Sequence, residues 1–198
     1  MLGVQQDRRI QHMNKLKIQC AASPETNDHE ASIIADGKDW LGEDYMGLDP
    51  PRFFRQETLL SGGRAFVGRC NCGCEGCDDF IVDVIIDENV VKWKSTKGYL
   101  LRFDRTEYEA EIVAKRNDHS WEDNNRTAER LVDAIFDSIV FTDDWKYDWS
   151  SARIGQGKIT LSFSLGSQQK LIEFGWDPKD PTTAEKQAKQ LKLEMIGE

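Results

Sequence analysis

The residues best suited to chemistry in this chain are its cysteines, four of which share one short segment: Cys70, Cys72, Cys74 and Cys77. Thiolates that converge on one point bind zinc, because short spacings on a tight turn bring several sulfurs to ~2.3 Å from the metal. Gly73 and Gly76 permit the positive φ angles that such a turn needs. The cysteine segment, from Cys70 to Cys77, therefore predicts a structural zinc site.

The fourth ligand of this site stays open on sequence grounds. Four thiolates in so short a segment form a crowded tetrahedron, and the remaining ligand can come from elsewhere in the chain. We predict a core set of Cys70, Cys72 and Cys77, with Cys74 as the fourth ligand. The distant alternatives are Cys20, His29 and His119.

Two other states of these cysteines compete with zinc. An iron–sulfur cluster also uses four thiolates, but its usual C-x₂-C and C-x₄-C spacings do not match this segment. Free thiols, or disulfides formed on oxidation, are the second option. A cytoplasmic location keeps thiols reduced and disfavours persistent disulfides. Because thiolate-rich zinc sites are closed, we predict a structural rather than a catalytic ion.

Composition and charge narrow the classes of function. Of the 198 residues, 39% are hydrophobic and 31% are charged, as in ordinary globular proteins. No apolar run approaches the ~20 residues of a membrane helix, and the polar start lacks a signal peptide, so we predict a cytoplasmic protein. The formal net charge of -9 argues against nucleic-acid binding and suits a basic partner. The simpler interpretation of this acidity is that it aids solubility.

A second constellation of polar residues follows the cysteine segment. Glu107, Glu109 and Glu111 alternate with Tyr108, Ala110 and Ile112, which predicts a strand with an acidic solvent-facing side. Together with Lys115 and His119, these carboxylates allow an alternative function, a metal-dependent hydrolase. The chain lacks a P-loop, a dinucleotide fingerprint, an H-E-x-x-H motif and a nucleophile elbow. We therefore assign no catalytic residue.

Most of the chain alternates apolar and polar residues as strands do. The clearest case is residues 80–86, followed by a turn at 87–89 and a strand around Val91 and Trp93, which together predict an antiparallel hairpin. Further strands are expected at 16–20, 33–35, 99–103, 145–149, 159–165 and 172–176. The segment Gly47-Leu48-Asp49-Pro50-Pro51 predicts a rigid turn, because the residue before a proline avoids helical angles.

Two helices complete the prediction. One runs from Ser120, as the capping residue, to Phe136, and the other opens at a capping box of Thr182 and Glu185. Strands joined by short turns and followed by helices favour an α+β fold with a mainly antiparallel sheet and a cysteine-rich metal loop. We interpret residues 1–14 as a leader or disordered tail and residues 15–198 as a single domain.

The stretch Gly68 to Cys77 resembles the C-x-C-G-x-x-G-C signature of a group of uncharacterised bacterial proteins. The resemblance spans positions 33 to 195. Its other segments are Asp49-Pro50-Pro51, Val91-Lys92-Trp93, Phe103 to Glu109, Asp118 to Glu122 and Arg126 to Leu131. It implies a shared fold but no activity, and in the signature Cys74 occupies a variable position.

These features predict a non-enzymatic protein-interaction module with a structural zinc loop. A small, acidic, cytoplasmic chain without enzyme motifs fits a bacterial immunity or antitoxin protein that binds a basic protein partner. The acidic strand face at Glu107 to Glu111 would provide the docking surface. The oligomeric state stays open.

Overall fold

The computed structural model describes residues 12–22, 28–72, 76–137 and 144–196. The chain divides into two compact units, Met1–Asp118 and His119–Glu198. The predicted leader lies almost wholly outside the described residues, and the single domain over 15–198 stays a prediction. Among the described residues, no helix is long and apolar enough to cross a membrane.

The first unit contains two antiparallel sheets. One has the order β1-β2-β3, with the strands β1 (Leu16–Ala22), β2 (His29–Ala35) and β3 (Lys38–Asp39). The other is five-stranded, in chain order, with the strands β4 (Tyr45–Gly47), β5 (Gly63–Cys70), β6 (Phe80–Ile86), β7 (Val90–Ser95) and β8 (Leu100–Asp104). Among the described residues of this unit, three helices accompany them: α1 (Pro50–Phe54), α2 (Thr58–Ser61) and α3 (Arg105–Arg116). The predicted α+β class, with antiparallel strands and a hairpin of β6 and β7, is confirmed.

Alternation along the strands builds the core of this unit. Val82 and Val84 in β6, and Val91 and Trp93 in β7, are buried, while Asp83 between the two valines and Lys94 after Trp93 are exposed. The Trp93 ring packs edge-on against Tyr108, and its Nε1 donates a 3.1 Å hydrogen bond to the Tyr108 hydroxyl. That hydroxyl donates in turn to the Leu59 carbonyl at 2.8 Å. The buried polar groups of both rings are therefore satisfied.

A close backbone approach joins the two sheets beside the cysteine segment. Ala31 in β2 donates a 2.8 Å hydrogen bond to the Leu48 carbonyl, directly after β4. A Cβ atom at Gly47 would collide with the Ala31 carbonyl, so only glycine fits here. The position of β4 next to β5 depends on this contact.

The predicted acidic strand at Glu107 to Glu111 is wrong, because these residues lie in helix α3. Asp104 caps the helix by accepting a 3.0 Å hydrogen bond from the Glu107 amide. Tyr108 and Ile112 are buried one helical turn apart, whereas Ala110 between them is exposed. Buried residues four positions apart lie on one face in a strand and in a helix, so their spacing alone does not distinguish the two. The cap at Asp104 identifies the element as a helix.

The predicted rigid turn at Asp49-Pro50-Pro51 is also wrong, because α1 begins at Pro50. The prediction was correct for Asp49 itself, whose ψ of 128° lies outside the helical region. Proline is well accommodated in the first turn of a helix, because the backbone N–H groups there have no hydrogen-bond partner within the helix and the one that proline lacks is not needed. The two prolines therefore start a short helix.

The second unit packs two helices with a three-stranded antiparallel sheet. Its helices are α4 (Asn124–Phe136) and α5 (Thr182–Ile196), and its sheet has the order β11-β10-β9, formed by β9 (Lys146–Ser151), β10 (Lys158–Leu165) and β11 (Gln168–Gly175). Ile159, Leu161 and Phe163 are buried in a cluster with Val132 and Ala188. These elements match the predicted strands and helices closely.

Two details of the second unit correct the sequence prediction. Helix α4 begins at Asn124, and its cap is Asp123, which accepts a 2.9 Å hydrogen bond from the Arg126 amide, so Ser120 does not start it. In β9, Tyr147 lies opposite Phe163 but Trp149 lies opposite Ser162, so a bulge separates the two aromatic residues. Because Ser162 and Phe163 point to opposite faces of the sheet, Tyr147 and Trp149 do not share one face, as strict alternation along the predicted strand at 145–149 would require.

Candidate metal centre

The cysteine segment connects two neighbouring antiparallel strands. Cys70 is the last residue of β5, and Cys77 lies three positions before β6 begins at Phe80. The Sγ atoms of Cys70, Cys72 and Cys77 all lie within 4.8 Å of one another. Cys70 is half-buried, while Cys72 and Cys77 are exposed. The structure therefore brings together the predicted core ligands, and Cys74 lies outside the described residues.

The return of the chain toward Cys77 depends on Gly76. Its φ of +77° is one that side-chain-bearing residues rarely adopt, although a Cβ atom there would meet no neighbour within 4 Å. The Gly76 amide donates a 3.1 Å hydrogen bond to Asp79 Oδ1. Glycine is thus needed at this position for its backbone angle rather than for its small size.

Two sets of hydrogen bonds fix the ends of the cysteine segment. On the first side, Asn71 donates its backbone N–H to the Asp44 carbonyl at 3.1 Å and its side-chain amide to the Glu43 carbonyl at 3.3 Å. On the second, Asp78 accepts hydrogen bonds from Lys97 Nζ at 2.7 Å and from the Tyr45 hydroxyl at 2.6 Å. The sulfurs are consequently held between β4 and the turn after β7.

The ion pair with Lys97, followed by the hydrogen bond from Tyr45, lowers the pKa of Asp78 below its ordinary value. Lys97 therefore compensates directly the negative charge that Asp78 brings close to the sulfurs. No sequence pattern points to Lys97, because its contact with Asp78 depends on the register of β6 and β7. The contact between Lys97 and Asp78 that anchors the site could therefore not be predicted from the sequence.

The sulfur cluster supports two chemical states. In the structure Cys70 and Cys72 are joined as a disulfide, with their Cα atoms 5.4 Å apart, and Cys77 is a free thiol. When reduced, the same three residues offer three soft thiolate donors on one side of the chain. Such donors suit zinc and other thiophilic ions rather than magnesium or calcium. Sulfurs bound tetrahedrally at ~2.3 Å from one zinc lie ~3.8 Å apart, so the bond between Cys70 and Cys72 must be reduced and its sulfurs must separate before they can share an ion.

The distant ligand candidates are not part of this cluster. Among the described residues, the candidate metal-binding group comprises Cys70, Cys72 and Cys77. Cys20 lies in β1, where burial raises the pKa of its thiol to about 11. His119 pairs with Glu122 at 3.0 Å within the second unit, and His29 is buried in β2.

The residues of the alternative hydrolase have structural contacts instead. Glu109 binds Arg105 at 2.7 Å, and Glu111 accepts a 2.8 Å hydrogen bond from the Ile18 amide in β1. Lys115 pairs with Asp118 at 2.8 Å. The Glu111 contact ties α3 to β1, whereas the other two are local to the helix and its C-terminal end.

No protein-family model, curated protein or solved structure matches this chain. The resemblance to a group of bacterial proteins accordingly stays a prediction. Any conclusion about function rests on the geometry of the site and its surroundings.

Proposed function

We propose that this chain is a non-enzymatic protein-interaction module with a structural zinc ion in the cysteine segment, and that it acts as a bacterial immunity or antitoxin protein in the cytoplasm. The observation that carries the proposal is the cluster of Cys70, Cys72 and Cys77 sulfurs beside exposed carboxylates. Thiolate-rich zinc sites stabilise a fold instead of activating water. The ion would fix a surface that a partner recognises.

The surface around the cysteine segment is acidic. Glu43 and Asp44 are exposed there and Asp79 is half-buried, and we call these three residues the acidic rim. Their closeness to the sulfurs follows from the backbone contacts of Asn71 with residues 43 and 44 and of Gly76 with Asp79. Three thiolates outweigh the charge of one zinc ion, so the metal centre adds negative charge to the rim. This charge pattern fits a basic partner.

An exposed aromatic residue lies beside the acidic rim. Tyr99 is 59% exposed, and its ring stacks on that of Phe80, the first residue of β6. Its neighbour in the same turn, Lys97, binds Asp78 at the end of the cysteine segment. Tyrosine is enriched at protein interfaces, where it supplies contact area at low entropic cost. The acidic rim with Tyr99 therefore replaces α3 as the proposed docking surface.

The proposal is tested with the product of the gene adjacent to the one that encodes this chain, which the proposal predicts to be a basic protein. Binding is measured by calorimetry with reduced, zinc-loaded protein at about 50 mM and about 200 mM salt. We expect the affinity to fall with salt, because charge attraction between exposed groups is screened. Glu43→Gln combined with Asp44→Asn should weaken binding by about tenfold, mainly through slower association.

The matched control is Glu88→Gln combined with Glu107→Gln. It removes the same charge from two exposed carboxylates outside the acidic rim, and binding should be unchanged. Equal weakening by both double variants would point to net charge alone and contradict the docking surface. Absence of binding to the neighbouring gene product would overturn the immunity proposal.

A further inference from the structure

The outward face of the five-stranded sheet is basic, although the whole chain has a net charge of -9. The side chains that alternate with the buried residues of β5 to β8 point away from the core. Five of them are cationic: Arg64, Arg69, Lys92, Lys94 and Arg102. We call this surface the basic sheet face.

Few carboxylates balance these cations. Asp83 lies between Arg64 and Lys94 in register, on the strand that separates them. Asp87, in the turn after β6, pairs with Lys92 at 2.5 Å. Asp104, at the end of β8, is a third carboxylate on this face by the same alternation, and three carboxylates against five cations leave the basic sheet face positive. Salt screens the acidic remainder of the chain beyond ~8 Å, so an approaching ligand meets the local positive charge.

Two guanidinium groups of the basic sheet face have unused donors. The Nε atoms of Arg69 and Arg102 are shielded from solvent and have no hydrogen-bond partner among the described residues. Because these Nε atoms are shielded, a ligand reaches them only when the side chains reorient, and an acceptor that they then meet recovers the free energy that an unpartnered donor costs. Carboxylates fit arginine especially well, because two oxygens match the fork of N–H groups.

Apolar side chains are exposed between the cations. Phe66 is 37% exposed, Ile85 42% and Leu100 53%. Leu100 lies directly opposite Lys94, and Ile85 lies opposite Lys92, so apolar and basic side chains alternate across the strands. A ligand that covers this surface must offer both carboxylates and aliphatic groups.

We propose that the basic sheet face binds an acidic, amphipathic peptide segment of a partner protein, independently of the acidic rim. A polypeptide fits better than a nucleic acid. Single-stranded nucleic acids need aromatic platforms for base stacking, whereas two of the three exposed apolar side chains are aliphatic. The overall negative charge also disfavours a polyanion that extends beyond the face. Carboxylates of the segment would contact the arginines, and its apolar side chains would cover Ile85 and Leu100.

The test uses fluorescently labelled probes of defined chemistry and measures fluorescence anisotropy. The first is a peptide of about twelve residues that alternates Glu and Leu, the second alternates Lys and Leu, and the third is an oligouridylate of similar length. We expect the Glu/Leu peptide to bind best and with salt-dependent affinity. Arg64→Glu combined with Lys94→Glu should weaken the binding of the Glu/Leu peptide by about tenfold or more.

The control is Lys17→Glu combined with Lys38→Glu, which makes the same change in charge at exposed positions of β1 and β3. It should leave binding unchanged. Leu100→Ser, at an exposed position, provides a second test in case the charge reversals disturb folding, and it should weaken binding by about threefold. Tighter binding of the oligouridylate, no binding of the Glu/Leu peptide, or equal effects of the basic-face and control variants would overturn the proposal.

Discussion

Lys97 and Asp78 form a 2.7 Å ion pair that ties the turn after β7 to the end of the cysteine segment. The Tyr45 hydroxyl binds the other oxygen of the same carboxylate at 2.6 Å. Asp78 thereby connects both edges of the candidate site, and it orients the chain that follows Cys77. Contacts of this kind beyond the metal ligands commonly tune metal affinity.

Lys97→Met should lower the zinc affinity of the reduced protein by about tenfold, because outer contacts that orient ligands have effects of this size. The measurement is a competition titration against a chromophoric chelator. Lys92→Met is the matched control, since it removes the ion pair with Asp87 at the other end of β6. Identical zinc affinities for the two variants would show that Asp78 does not support the site.

Tyr108→Phe should destabilise the protein by ~1–3 kcal/mol, because it leaves the Leu59 carbonyl and Trp93 Nε1 without their buried partner. The free energy of unfolding is measured in urea. Tyr99→Phe removes a hydroxyl from an exposed ring, and it should leave stability nearly unchanged. A similarly small effect of Tyr108→Phe would contradict the buried hydrogen-bond chain.

Because of Asp36, the free energy of unfolding should depend on pH in the acid range. The Lys15 amide, followed by the side chains of Asn14 and His12, lowers the pKa of Asp36 to about 2. An unfolded aspartate has a pKa of ~3.9, so the ionised group stabilises the fold above pH ~4 and loses this effect as the pH falls toward 2.

The check compares the wild type with Asp36→Asn from pH 7 to pH 3. Asparagine tolerates the positive φ of 53° at this position, which isolates the effect of charge. The stability difference should be constant at neutral pH and shrink below pH ~4. A difference that stays the same down to pH 3 would rule out the carboxylate as its source.

Local patterns predicted the elements better than they predicted the site. The hairpin of β6 and β7 follows from strict alternation around a polar turn, and the buried Val82 and Trp93 confirm it. At Tyr108 and Ile112 the spacing fits a strand as well as a helix, and only the cap at Asp104 distinguishes them.

The parts of the site that sequence analysis missed depend on distant contacts. The cysteine spacing was sufficient to predict that Cys70, Cys72 and Cys77 would converge. The pairing of Lys97 with Asp78 requires the register of β6 and β7 and the exact length of the next turn. Likewise, the basic sheet face appears only when four strands are placed side by side, because its cations are far apart in the sequence.

Zinc X-ray absorption spectroscopy on the reduced protein tests the central claim most directly. We predict one zinc ion per chain with at least three sulfur ligands at ~2.3 Å. Cys72→Ser should remove a sulfur or release the ion and lower stability by several kcal/mol, because metal-binding energy contributes to folding. Cys20→Ser should keep the metal. Failure of the reduced wild type to take up zinc, or a ligand shell of only nitrogen and oxygen, would contradict the account.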